Sequence, residues 1–245
     1  MLPVGIALGV AYVIAVRRVR RRWPAARTVA FLSGCGVLAV SELIGSSSFT
    51  AHMTEHVLLG MVAPLLFALG APVTLALQAT DGRSLRLLLR SRPARVLTNP
   101  AVVWLLFGGT LVALIFSPLL ELSAENVIVH ALLHAHFLIV GSLFATTLVA
   151  IDPLPHALPH GARLLAALVA VPFHAFVGVA LLSARSPLAP SVYPSLSDQR
   201  AAAAVLWGSG ELLTLAVAAI VFARWWAYEQ REGARLDRRL GPVSS

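Results

Sequence analysis

The sequence predicts an all-α polytopic membrane protein: a seven-transmembrane-helix bundle with its N-terminus outside and its C-terminus in the cytoplasm. Three observations predict it. Hydrophobic residues make up 58% of the chain and charged residues only 12%, against roughly 25% charged in soluble domains, and the mean hydropathy is +0.82. The apolar residues gather into seven blocks, most of them long enough to cross a bilayer. Between the blocks lie the basic residues, all 19 of them arginine.

The first block, Leu2 to about Val16, stops at RRVRRRWPAAR. It is short, and Val19 with snorkelling arginines completes it. Its positive cluster follows the apolar run instead of preceding it, so it reads as a retained helix and not as a signal peptide. The second helix covers Thr28 to about Gly45. After the polar link SSSFTA the third runs from about His52 to Leu77. Pro64 and Pro72 lie inside that block, and a kink or break near Pro64 is expected, since neighbours in a membrane bundle satisfy the freed carbonyls.

The linker DGRSLRLLLRSRPAR interleaves leucine with five arginines, the pattern of an interfacial amphipathic helix. The fourth helix covers Pro100 to Ser117, and the fifth Asn126 to about Ala150. DPLPHALPH is a proline-broken turn. Ala162 to Leu182 forms the sixth helix, RSPLAPSVYPSLSD a longer polar loop, and Gln199 to Arg224 the seventh helix. The organisation is one transmembrane domain over 1–230 and a polar cytoplasmic tail over 231–245.

Charge orients the bundle. The linker after the first block, the linker after the third, the 150–163 turn and the tail hold 17 of the 19 arginines. With seven spans these four regions share one side, which the positive-inside rule makes cytoplasmic. The same distribution excludes a nucleic-acid-binding domain, which needs a basic face on a polar fold. The single cysteine, Cys35, sits mid-helix as a packing residue and excludes an intrachain disulfide or a CxxC motif. There is no lysine to complete a phosphate-binding loop, no H-E-x-x-H and no G-x-S-x-G.

Histidine is the unusual component. Imidazole within a membrane is costly unless paired, liganding or functional. His52 and His56 are spaced i,i+4 on the third helix, and His130 and His134 repeat that spacing on the fifth, so each pair shares a helix face. His136 points to another face, and His174 lies near mid-depth of the sixth helix. In the predicted orientation these six fall in the outer half or middle of the bundle, with His156 and His160 in the cytoplasmic turn. Two pairs on separate helices supply four nitrogen ligands, a set that suits copper, zinc or haem iron. Glu42, Glu55, Asp198 and Glu211 are candidates to accept the other ring protons. Met53 and Met61 offer soft sulfur, or simply pack the core. If both pairs serve one centre, the third and fifth helices meet at their histidine-bearing ends.

These motifs resemble a known family. HMTEHVLLGMVAPLLFALGAPVTLAL resembles the H-M-x-x-H-x-L-L…A-P-L-L…L-G-x-P core of CtaG-like (caa3-type) cytochrome c oxidase assembly factors. HALLHAHFLIVGSLF is similar to their second histidine-bearing helix. IDPLP, PFHAFVG and YPSLSDQRAAAAVLWGSGEL follow in the family's order, from about residue 25 to 230. The resemblance assigns His52, His56, His130, His134, His136 and His174 to the family's histidine positions. It assigns Asp198 and Gln199 to a D-Q pair, and Trp207 and Glu211 to a W-x-x-G-E element. Pro64-Leu65 stands where a double proline is common, and an alanine run where small residues often follow D-Q-R. The resemblance implies a non-enzymatic helper in the bacterial plasma (inner) membrane. Its partners would be a cytochrome c oxidase subunit or another copper chaperone, its cargo copper, and its metal ligands exposed enough to exchange.

Read without the resemblance, the residues leave two other classes open. A copper or zinc transporter needs ligands along a continuous path to a cytoplasmic exit. A haem-bearing electron-transfer protein needs opposed histidines as axial ligands. The topology has its own test: reporters fused after Arg235 and within residues 186–197 should report opposite sides of the membrane. Reports from the same side would remove the seven-helix arrangement.

Overall fold

The computed structural model describes residues 1–45 and 47–240. Every ordered element among them is helical. In chain order they are α1 (Leu2–Arg18), α2 (Ala25–Ile44), α3 (Phe49–Val57), a π-helical turn (Leu58–Val62), α4 (Ala63–Gly70) and α5 (Pro72–Ala79). Then come α6 (Arg83–Arg90), α7 (Arg92–Leu97), α8 (Pro100–Phe116), α9 (Leu119–Glu125), α10 (Val127–Val149), α11 (His160–Ser183) and α12 (Leu196–Leu240).

Among the described residues, five helical stretches are long and apolar enough to cross a membrane, and α8 with α9 makes a sixth if that pair, bent by 79°, is one span. α1 has 17 residues, about 26 Å of helix against an apolar core of about 30 Å. Large apolar side chains such as Leu43, Leu105, Leu132, Phe176 and Leu212 point outward around the bundle. No aqueous fold tolerates such a surface, so the chain is an all-α, multi-span membrane bundle.

Helices pack where small residues let them approach, as expected where apolar burial gives no advantage over lipid. Between α2 and α4 the fit is reciprocal: Phe67 fills the notch at Gly34, and Phe31 the notch at Gly70. α11 and α12 repeat the device, with Trp207 over Gly178 and His174 over Gly210. Cys35 packs against Gly5 and Gly9 where α1 crosses α2. The tightest approach joins the π turn to α10, where a Cβ on Gly141 would stand 2.1 Å from the Gly60 carbonyl oxygen.

The break expected near Pro64 takes another form. Pro64 has no N–H for the Gly60 carbonyl, so the helix widens into the π turn just before it and continues. The true break comes at Ala71, which adopts φ 52 and ψ 55. Pro72 denies its predecessor the right-handed helical region. Ala71 takes the left-handed one, and the Asp152 carboxylate then accepts from Val73 N (3.0 Å), Thr74 N (2.7 Å) and Thr74 Oγ1 (2.6 Å).

Two further differences from the sequence reading have plain causes. The polar tail continues α12 as helix to Leu240. Its own side chains support it, Trp225 Nε1 donating to Glu229 (3.0 Å) and Arg235 pairing with Glu232 (2.7 Å); residues 241–245 lie outside the described residues. Residues 119–125 form α9, too short and too mixed in composition to be read from periodicity.

Gly141→Ala should separate the π turn from α10, because the obstructing atoms are backbone and cannot rotate away. We expect a loss of about 1–3 kcal/mol, seen as a lower unfolding midpoint in detergent. Gly109→Ala, which meets nothing within 4 Å, should leave the midpoint unchanged.

Candidate metal centre

The site is built from the start of α3 and the start of α10. Asp198, at the head of α12, holds α3 in register: its carboxylate accepts from Phe49 N (2.6 Å), Thr50 N (3.2 Å) and Thr50 Oγ1 (2.6 Å). Ser48 caps the same turn through Ala51 N at 3.1 Å. Asn126 caps α10 through Ile128 N and Val129 N. The Gly60–Gly141 contact then sets the distance between the two helices below the histidines.

Four imidazoles converge as a result. Ring centroids lie 4.4 Å apart for His52–His56, 4.0 Å for His130–His134, 5.1 Å for His52–His130 and 5.4 Å for His56–His134. Glu55 lies among them, its Oε1 3.7 Å from His134 Nδ1 and its Oε2 3.8 Å from His130 Nε2. Those separations exceed hydrogen-bond length. The ligand atoms of Glu55, His130 and His134 all fall within 4.8 Å of one another. A tetrahedral ion with bonds near 2.1 Å wants them about 3.4 Å apart, so closure by about 1 Å completes the site.

Satisfaction of polar atoms argues the same way. Among the described residues, His52 Nε2, both ring nitrogens of His56 and His134 Nε2 are buried without a hydrogen-bond partner. Each such group costs roughly 1–3 kcal/mol. The buried carboxylate of Glu55 has, among the described residues, only His130 and His134 within ion-pair distance. A cation held by these residues would satisfy the carboxylate and the unpartnered nitrogens together. The donors are imidazole nitrogen and carboxylate oxygen without thiolate, a set suited to Cu(II) or Zn(II) more than Cu(I).

Two contacts orient the ligands. His52 Nδ1 and Tyr193 Oη share a 2.6 Å hydrogen bond. Burial first, then the nearby Asp198 and Glu55 carboxylates, push the Tyr193 phenol up to about 12, so it stays protonated at neutral pH. His130 Nδ1 donates to Ser123 O (3.3 Å) on α9, leaving Nε2 toward Glu55.

The structure separates the other sequence candidates from this cluster. His136 Nε2 donates to Thr110 Oγ1 at 2.7 Å, since the Thr110 hydroxyl donates to Leu106 O. His174, buried on α11, lines with His56, Met53 and Met61 a cavity of about 30 Å³, room for an ion or a water. Met53 is otherwise part of the apolar core. Of the four carboxylates, only Glu55 reaches the imidazoles. Glu42 pairs with the amino group of Met1, Asp198 caps α3, and Glu211 accepts from Trp207 Nε1 at 3.1 Å. Gln199 staples the 184–195 loop, accepting from Leu188 N and donating to Leu181 O.

One expectation is overturned. The ligands are not exposed for exchange. His52 is 0%, His56 5%, His134 6% and Glu55 6% accessible; the His130 side chain, at 20%, is the most open. Sequence reasoning missed Tyr193, which lies in a loop with no periodicity. Its only signal was a hydroxyl-bearing aromatic five residues before Asp198.

A multi-span helical membrane protein with a buried histidine–glutamate cluster is the class this architecture defines. Residues 10–228 match the family Cytochrome c oxidase caa3 assembly factor (Caa3_CtaG), and the chain belongs to that family, one of assembly factors and not of enzymes. The chain is 35% identical to the uncharacterized protein ML1998 of Mycobacterium leprae over 95% of its own length. It is 33% identical over 96% to the uncharacterized proteins Mb0105 of Mycobacterium bovis and MT0111 of Mycobacterium tuberculosis. It spans about 40% of the length of each of these relatives. No solved structure matches it significantly. The apolar helices and these relatives make it a bacterial multi-pass membrane protein.

Tyr193→Phe should weaken Cu(II) binding to the purified protein by about 10–100-fold, the usual effect of removing a hydrogen bond that orients a ligand. His136→Ala should leave it unchanged. Calorimetric titration of both variants checks this.

Proposed function

We propose that the protein assists copper insertion into a haem–copper cytochrome c oxidase, with Glu55, His130 and His134 as the primary ligands and His52 and His56 completing or relaying the set. The observation that carries this reading is the convergence of four imidazoles and one carboxylate in a buried pocket with unpartnered nitrogens. Copper here is cargo. The burial of the set supports a factor that holds its ion closed and opens it against a partner, an oxidase subunit or another copper chaperone, with His130 as the point of entry and release.

The reading includes the topology drawn from the arginines: seven spans, with α1 and the α8–α9 pair counted, N-terminus outside and C-terminus cytoplasmic. That orientation puts the histidine cluster in the outer half of the membrane. It also treats residues 1–230 as one transmembrane domain. Transport of copper or zinc has less support. Below His174 the adjoining cavity is lined by apolar side chains and Thr214, and a metal ion finds few donors there.

The test is copper content and activity of the client oxidase in cells carrying variants at matched protein level. His56→Ala/His134→Ala should lower both by tenfold or more, in line with the roughly 10–100-fold losses typical of disturbed metal sites. His156→Ala, in the 150–159 turn, should behave as wild type. Normal copper-loaded oxidase with both ligands replaced would leave scaffolding of oxidase subunits as the better account.

A further inference from the structure

The opposite end of the bundle carries a second built site. It lies about 24 Å along α10 from His134, by the rise of 1.5 Å per residue to Ala150. There Ala150, His160, Arg163, Arg224, Tyr228 and Arg231 line a cavity of about 360 Å³. Three guanidinium groups and an imidazole enter one pocket. Among the described residues, neither Arg163, Arg224 nor Arg231 has a carboxylate within ion-pair distance. The carboxylate nearest in charge to His160, that of Glu229, accepts instead from Trp225 Nε1.

Backbone carbonyls hold the arginines and leave most of their N–H groups unused. Arg163, itself buried, donates from Nε to Leu158 O (2.9 Å), and Arg224 from Nη2 to Ala150 O (3.4 Å). His160 Nδ1 is buried without a partner, while its ring lies against Tyr228 and Trp225 at 5.4 and 6.4 Å. Unpaired, closely set guanidiniums are the chemistry that takes a phosphate group.

The neighbourhood names the carrier of that phosphate. Trp226 is 60% and Tyr228 50% exposed on the same stretch of α12. Tryptophan and tyrosine concentrate at the level of lipid headgroups, and basic pockets between helices at that level hold anionic headgroups. The arginine-bearing linker adjoins the same end, with Arg86, Arg90 and Arg95 beside Pro153 and Leu154.

We propose that the pocket between α10, α11 and α12 binds the phosphate of an anionic membrane phospholipid. The bound lipid joins the C-terminal end of α10 to the heads of α11 and of the polar part of α12, and so fixes the arginine-rich end of the bundle in the membrane.

The test uses the purified full-length protein in a neutral detergent, with phosphatidylglycerol, phosphatidylcholine and inorganic phosphate as probes. Phosphatidylglycerol should bind saturably and far more tightly than phosphatidylcholine. Arg163→Gln/Arg224→Gln should weaken it about 25-fold, equivalent to about 2 kcal/mol at 1.4 kcal/mol per factor of ten. Because buried Arg163 can be needed for folding, Arg224→Gln/Arg231→Gln, at two exposed positions, serves as a second variant and should show a loss of similar size. Arg22→Gln, an exposed charge outside the pocket, should bind as wild type. Equal binding of the two lipids, or phosphatidylglycerol binding indifferent to both double variants, would overturn the proposal. Inorganic phosphate bound as tightly as phosphatidylglycerol would overturn the lipid assignment and give the pocket to a soluble phosphate compound.

Discussion

The α3–α4 stretch and α10 approach as closely as they do because Gly141 carries no side chain against the Gly60 backbone. The contact is made at the π turn, where Pro64 has removed the regular hydrogen bond and the helix is locally wider. His56 lies one turn before Gly60, and His134 two turns before Gly141. A wider crossing would carry the two histidine pairs apart. Asp198 supplies the second constraint by tying the start of α3 to the head of α12. Crossing and cap together leave the α3 histidines one position relative to α10.

What they assemble is a buried set of nitrogen and oxygen donors. Glu55 sits in an apolar bundle with, among the described residues, only His130 and His134 within ion-pair distance, and several ring nitrogens there lack hydrogen-bond partners. On the proposed reading, a bound ion would satisfy these groups, and their burial would slow its exchange. α9, which orients His130 through Ser123 O, is a short helix turned 79° from α8. The buried cluster and membership of the oxidase assembly factor family together support the proposed copper role.

Much of this was legible in the sequence. Hydropathy blocks located the main helices to within a few residues, because apolar length is what a bilayer demands of them. The i,i+4 spacing identified both histidine pairs and their common faces. What the sequence did not disclose depends on long-range contacts. Glu55 was read as one of four supporting carboxylates, yet only the crossing angle decides that it reaches the imidazoles while Glu42 and Glu211 do not. Asp198 was read as a partner for a ring proton, and it is a helix cap across 149 residues. Tyr193 and α9 carry no periodic signal. The helix break moved from Pro64 to Ala71 because a widened turn absorbs one proline, whereas the residue before Pro72 cannot remain helical.

If one cation is held by carboxylate and imidazole alone, X-ray absorption of the copper-loaded protein should show a first shell of nitrogen and oxygen with the outer-shell scattering of at least two imidazoles, reduced in His134→Ala. A sulfur scatterer from Met53 or Met61, or a spectrum unchanged in His134→Ala, would contradict it.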